Sequence, residues 1–242
     1  MAQKVLLICG ILSPILYGVS DVLAGMQWEG YSFRDQTISE LGAIGAPSRA
    51  LFAVLLLMVY GLMVAFGVGI WKAAGENRRL RVAGGLLVGV GVIALTVGPF
   101  AAMRLRGTEQ GLAGAIHLLE GMVAMLMIFT AMGIAATAFG TRFRVYTIAT
   151  IVLALAFGAW AMLEAPRIEQ GLATPWVGVK ERIFWYGYQS WYIVLALTLL
   201  RRRVEAGTVS TGFDRPTRPP STAEDQAADR AAFSSCRGKT GA

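Results

Sequence analysis

Six apolar runs, each long enough to cross a bilayer, constrain this chain more than anything else in it. They cover about residues 5–23, 50–71, 82–103, 112–139, 145–163 and 183–200. A helix needs roughly 20 apolar residues to span the hydrocarbon layer. No water is available there, so each run has to satisfy its own backbone, and only helix does that within one segment. The expected fold class is all-α, an integral membrane six-helix bundle over residues 1–203 with ordered outer loops. The first run, which follows Lys4, exceeds a usual signal-peptide core and reads as a retained helix. A disordered cytoplasmic tail is expected over 204–242, where TGFDRPTRPPSTAEDQAADR is too polar and Pro-rich to build a core. Composition agrees, at 55% hydrophobic and 15% charged residues, outside the usual range of soluble domains.

Orientation follows from Lys and Arg in the connectors. The dense clusters NRRLR (77–81) and LLRRR (199–203) fall on the side of the N-terminus. On the other side Arg34, Arg49, Arg104, Arg106, Arg167, Lys180 and Arg182 alternate with acids. Both termini are therefore expected in the cytoplasm, with the chain in the plasma membrane. Much of the net charge of +7 sits in the two clusters and suits an anionic inner leaflet. Membrane lipids are the expected partners. Nucleic acid is not, because no basic soluble domain with base-stacking aromatics is present.

The first outer connector, GYSFRDQTISELGAIGAPSR (30–49), holds structural signals of its own. Thr37 and Glu40 have capping-box spacing, and Ser48 is a second cap at the entrance to the next span. Between them LGAIGAP predicts a short helix or re-entrant turn resting on the bundle, with Gly42 and Gly45 permitting close approach. Arg34, Asp35, Glu40 and Arg49 are expected to pair among themselves or with other outer charges. The last connector, EAPRIEQGLATPWVGVKERIF, contributes Glu181 and Arg182 to the same outer cap. In the third span Gly85 and Gly89 suggest a small-residue seam.

Three stretches together resemble one known family: GYSFRDQTISELGA with its small-residue turn, the intramembrane His in AIHLLEG, and GVKERIFWYGYQSWYIVLALTLLRR. They are similar to domain-of-unknown-function family 998, over roughly residues 5–203. The resemblance implies a six-span membrane bundle from a prokaryotic family distantly related to the Frag/DRAM/Sfk membrane proteins. It implies no catalytic residues. Many members follow the third span with an acidic FPxD-like turn, whereas this chain has the basic GPFAAMRLRG.

Ionisable residues at membrane depth are the natural site candidates, since burying them is costly. His117 and Glu120 share a helix face and lie about 8 and 12 Å in from the outer end of the fourth span. Asp21, Tyr188 and Gln189 are also placed in the outer half. These five form the expected ligand pocket, against the competing reading that His117 and Glu120 only fix helix packing. Trp28, Tyr31, Trp176, Trp185 and Tyr186 fit an interfacial belt, and Trp185, Tyr188 and Tyr192 form a packing stripe. No HExxH, P-loop or dinucleotide turn occurs, a single His excludes bis-histidine haem ligation, and Cys9 and Cys236 form no CxxC. No cofactor or metal is implied. The leading expectation is a non-enzymatic protein that binds or senses a lipid or small amphiphile in an outward-facing polar pocket. The alternatives are a proton-coupled small-molecule transporter, a structural or assembly protein without ligand, and an outer-leaflet lipid-modifying enzyme.

Overall fold

The computed structural model describes residues 2–212, with side chains as far as Arg203. Its helices are α1 (Ala2–Gln27), α2 (Ile38–Leu41), α3 (Arg49–Ala73), α4 (Arg78–Thr96), α5 (Gly111–Ala136), α6 (Thr141–Met162), α7 (Ala165–Glu169) and α8 (Val177–Gly212). Among the described residues six helical segments are long and apolar enough to cross a membrane, and the protein is a multi-pass membrane protein. Residues 1–201 form one compact unit. The tail expected from 204 is helical in its described part, to Gly212, and the rest lies outside the described residues.

The largest departure from the expected spans is at the third. Helix α4 ends at Thr96, a 3-10 turn follows at Gly98–Phe100, and no helix resumes until Gly111. Pro99 has no N–H to donate and crowds the carbonyl four residues back, which with Gly98 beside it favours the break, although α1 continues through Pro14.

Neighbours in the chain are neighbours in space. Helix α1 packs on α3, α3 on α4, α4 on α5 and α5 on α6. Helix α8 meets α6 where the Trp191 indole N–H donates to Thr147 Oγ1 at 2.9 Å, and meets α1 at Asp21. The helices thus form a ring in chain order, filled by Leu7, Phe66, Leu87, Met132, Trp191 and Leu195. In lipid, close van der Waals packing has to hold such a ring together. A close backbone approach joins α3 and α4. A Cβ on Gly67 would stand 2.8 Å from the Gly84 carbonyl oxygen, and one on Gly84 2.7 Å from that of Gly67. The seam thus uses Gly84 rather than the expected pair. Gly85 instead faces the Trp71 ring, and Gly89 the Met127 methyl.

The connectors differ sharply between the two ends of the ring. At one end the turns 74–77 and 137–140 are short. Asn77 caps α4 by accepting from the Arg79 and Leu80 amides, and Arg79 Nη1 donates to Thr137 O at the end of α5. At the other end lie 28–48, 97–110 and 163–176, and these interlock.

Candidate functional site

The interlock begins with local helix chemistry. Thr37 and Glu40 complete the capping box: the Glu40 amide donates to Thr37 Oγ1, and Glu40 Oε2 accepts from the Thr37 amide at 2.8 Å. That geometry turns the Glu40 carboxylate inward, where it is fully buried. Arg106, from the basic turn after α4, meets it with two donors, Nε to Oε1 and Nη2 to Oε2, both at 2.9 Å. The same guanidinium donates to the Asp35 carbonyl, the Leu172 carbonyl and Thr174 Oγ1. One arginine therefore ties all three long connectors to α2. A two-pronged fork of this kind is among the stronger side-chain contacts.

A second arginine fastens this cap to the bundle. Arg182 on α8 donates through Nε and Nη2 to the Asp21 carboxylate at 2.9 and 2.7 Å. Tyr186 OH donates to that carboxylate as well. Arg182 Nη1 reaches the carbonyls of Phe33 and Gln36, and Nη2 reaches Tyr31 OH. Burial pushes the Tyr31 phenol upward in pKa. Glu181, next in sequence, accepts from the Ile38 amide and from Ser39 Oγ, serving two donors of the first turn of α2. Gly178 allows this contact, since a Cβ there would sit 2.2 Å from the Gln36 carbonyl oxygen.

The rim is looser. Arg34 pairs with Asp35 at 2.8 Å in the open, and Asp35 Oδ1 accepts from the Trp176 amide, holding Trp176 at φ 68°. The Arg34 guanidinium and the Trp176 N–H together depress the Asp35 pKa from 3.8 to about 2. Lys180 pairs with Glu164 and lies 4.6 Å from the centre of the Trp160 ring. Ser48, expected as a cap, instead donates to the Leu41 carbonyl at 2.8 Å. That contact closes the loop formed by 41–48.

Below α2 lies a cavity of about 250 Å³. Arg49, Phe52, Leu57 and Tyr60 of α3 and His117 and Glu120 of α5 line it, with Ile38 and Ser39 at its cap end. His117 Nδ1 is 2.8 Å from the Ala101 carbonyl oxygen. A carbonyl only accepts, so Nδ1 carries a proton. His117 and Glu120 do not bond to each other. Neither the Glu120 carboxylate nor the Arg49 guanidinium makes a hydrogen bond or ion pair with any described residue. Both are half-buried.

Of the five residues expected to form a pocket, two line this cavity. Asp21 is occupied by Arg182, Tyr188 is packed between the Trp185 and Tyr192 rings, and Gln189 is buried outside the cavity lining. The stripe Trp185, Tyr188 and Tyr192 is continuous with Phe66 of α3 and packs in the core, with Trp185 also lining the cavity. Sequence reading placed Arg49 in the cap and gave Arg106 and Tyr60 no role. The basic turn MRLRG held the only signal for Arg106, and nothing in sequence paired it with Glu40. Among the described residues, no three His, Cys, Asp or Glu side chains gather where a metal ion would fit.

A family model described as a protein of unknown function (DUF998) matches residues 11–198. No curated protein and no solved structure matches.

Proposed function

We propose, from the premise that the chain belongs to the DUF998 family, that this membrane protein binds or senses a lipid or small amphiphile in the cavity between α3 and α5. One observation carries the reading: Arg49 and Glu120 face the same mostly apolar cavity, and neither side chain has a partner among the described residues. An unpaired ionisable group within a bilayer costs a few kcal/mol near the midplane and less toward the interface. A ligand that brings polar groups to both would offset that cost, while its apolar part would rest on Phe52 and Leu57.

The basic clusters at Arg78–Arg81 and Arg201–Arg203 favour a cytoplasmic location for the end that bears them, in the plasma membrane. The cap then lies on the outside, and the cavity opens in the outer half of the bilayer. Native mass spectrometry of protein purified in mild detergent tests the reading, with wild type beside Glu120→Gln and His117→Ala. A defined lipid or metabolite retained by wild type and lost from Glu120→Gln is the expected result. Identical retention by all three proteins would refute it.

A further inference from the structure

Two opposite charges that share a cavity without pairing say something about what fits between them. Arg49 stands at the first turn of α3, and Glu120 on α5 one turn beyond His117. They do not reach the 4 Å separation of an ion pair, and neither side chain is engaged by another described residue. A ligand with a single anionic group would satisfy Arg49 and leave Glu120 repelling it. A ligand with a single cationic group would do the reverse. Only a head that carries both charges, some bond lengths apart, meets both residues with the correct sign.

The walls say where such a head comes from. Ala53 and Leu57 line the cavity and are also exposed on the outside of α3, as is Pro99 on the connector after α4. The mouth therefore opens sideways on an apolar surface, where a bilayer would lie, and an acyl chain can leave through it. Phe52 and Leu56 continue the same apolar wall inward. A soluble zwitterion would make no use of these groups.

Resting on the function proposed above, we propose that the occupant is a bilayer lipid with a zwitterionic phosphate–ammonium headgroup. Arg49 takes its phosphate, by the donor fork that suits that anion. Glu120 accepts from its ammonium, and Tyr60 OH, which has no hydrogen-bond partner among the described residues, supplies a further polar contact beside Glu120.

The test uses purified full-length protein and native mass spectrometry from mixed micelles of two probes with the same acyl chains. One is dioleoyl phosphatidylethanolamine, with phosphate and ammonium. The other is dioleoyl phosphatidylglycerol, with phosphate alone. Wild type is expected to retain the ethanolamine lipid at least about tenfold over the glycerol lipid, the ratio one charged hydrogen bond supplies. Glu120→Gln should abolish that preference, lowering ethanolamine-lipid retention and raising glycerol-lipid retention as the repulsion on its phosphate is removed, and Arg49→Gln should weaken both. Because neither side chain has a partner to lose among the described residues, both variants are expected to retain the packing around them.

Equal retention of the two lipids by wild type, with both lost on Glu120→Gln, would overturn the headgroup assignment and leave the cavity reading standing. Retention of neither lipid above bulk level would overturn the headgroup assignment, and the cavity reading would then stand or fall on the comparison of wild type with Glu120→Gln and His117→Ala described above. Complete displacement of the bound lipid by millimolar soluble phosphoethanolamine would also overturn the lipid assignment, because the acyl chains would then contribute nothing.

Discussion

Replacing Glu40 by Gln changes one atom type and one charge, at the point where the cap is tied together. The carboxylate accepts four hydrogen bonds: from the Thr37 amide, Thr37 Oγ1, Arg106 Nε and Arg106 Nη2. A glutamine keeps one oxygen. Whichever way its amide turns, an NH₂ group faces a donor, so at least one bond is lost and one N–H meets another. The Arg106 guanidinium, 21% exposed, is left with neutral acceptors only. Breaking a buried ion pair by removing one partner costs about 3–5 kcal/mol. Partial exposure of Arg106 places this case at the lower end, about 3 kcal/mol, or roughly 150-fold in the folding constant.

Equilibrium unfolding in mixed micelles of dodecyl maltoside and SDS, followed by circular dichroism, measures that loss. Adding Arg106→Gln and the double variant completes a cycle, in which the double variant should be less destabilised than the sum of the singles by about 2 kcal/mol. Additive costs, or a Glu40→Gln loss under about 0.5 kcal/mol, would refute the claim that this pair holds the cap. Arg34→Gln, six residues away on the open rim, is the control and should not change stability measurably.

Three further outcomes follow from particular contacts. Gly67→Ala should destabilise by about 1–3 kcal/mol in the same micelles, since its Cβ would press on the backbone of α4, whereas Gly133→Ala, with open space around it, should not. Thr147→Val should cost about 1–3 kcal/mol by leaving the buried Trp191 indole N–H without an acceptor; an unchanged denaturation midpoint would contradict this. Because Asp35 is depressed to about 2 in the folded chain, its contribution is complete above pH about 4 and is lost as pH falls from there to about 2. Trp176 fluorescence should change across that window in wild type and not in Asp35→Asn.

Each level of this structure was legible in sequence to the extent that it depends on near neighbours. The capping box was readable because Thr37 and Glu40 are three residues apart and bond through their own turn. Gly42 and Gly45, expected to permit close backbone approach, face the Phe52 and Leu105 side chains instead, and the φ of 96° at Gly45 is a feature that only the structure shows. The end of α4 was misread because hydropathy counts apolar letters and does not register that Pro99 breaks the ladder. By sequence alone Asp21, an acid at a helix end, has no visible partner and looks available to a ligand. Its partner Arg182 lies 161 positions away.

What the sequence determined by itself, then, is the solvent and the secondary structure: six apolar runs admit only helices in a bilayer, and clustered arginines bias their direction. What only the tertiary structure decided is which charges are spent and which remain free. Arg106 and Arg182 are consumed by Glu40 and Asp21, and Arg49 and Glu120 are left facing a cavity. Pairing depends on distances between side chains brought together by helix packing, and the chemistry of Arg49 is identical to that of Arg106 until that packing is known.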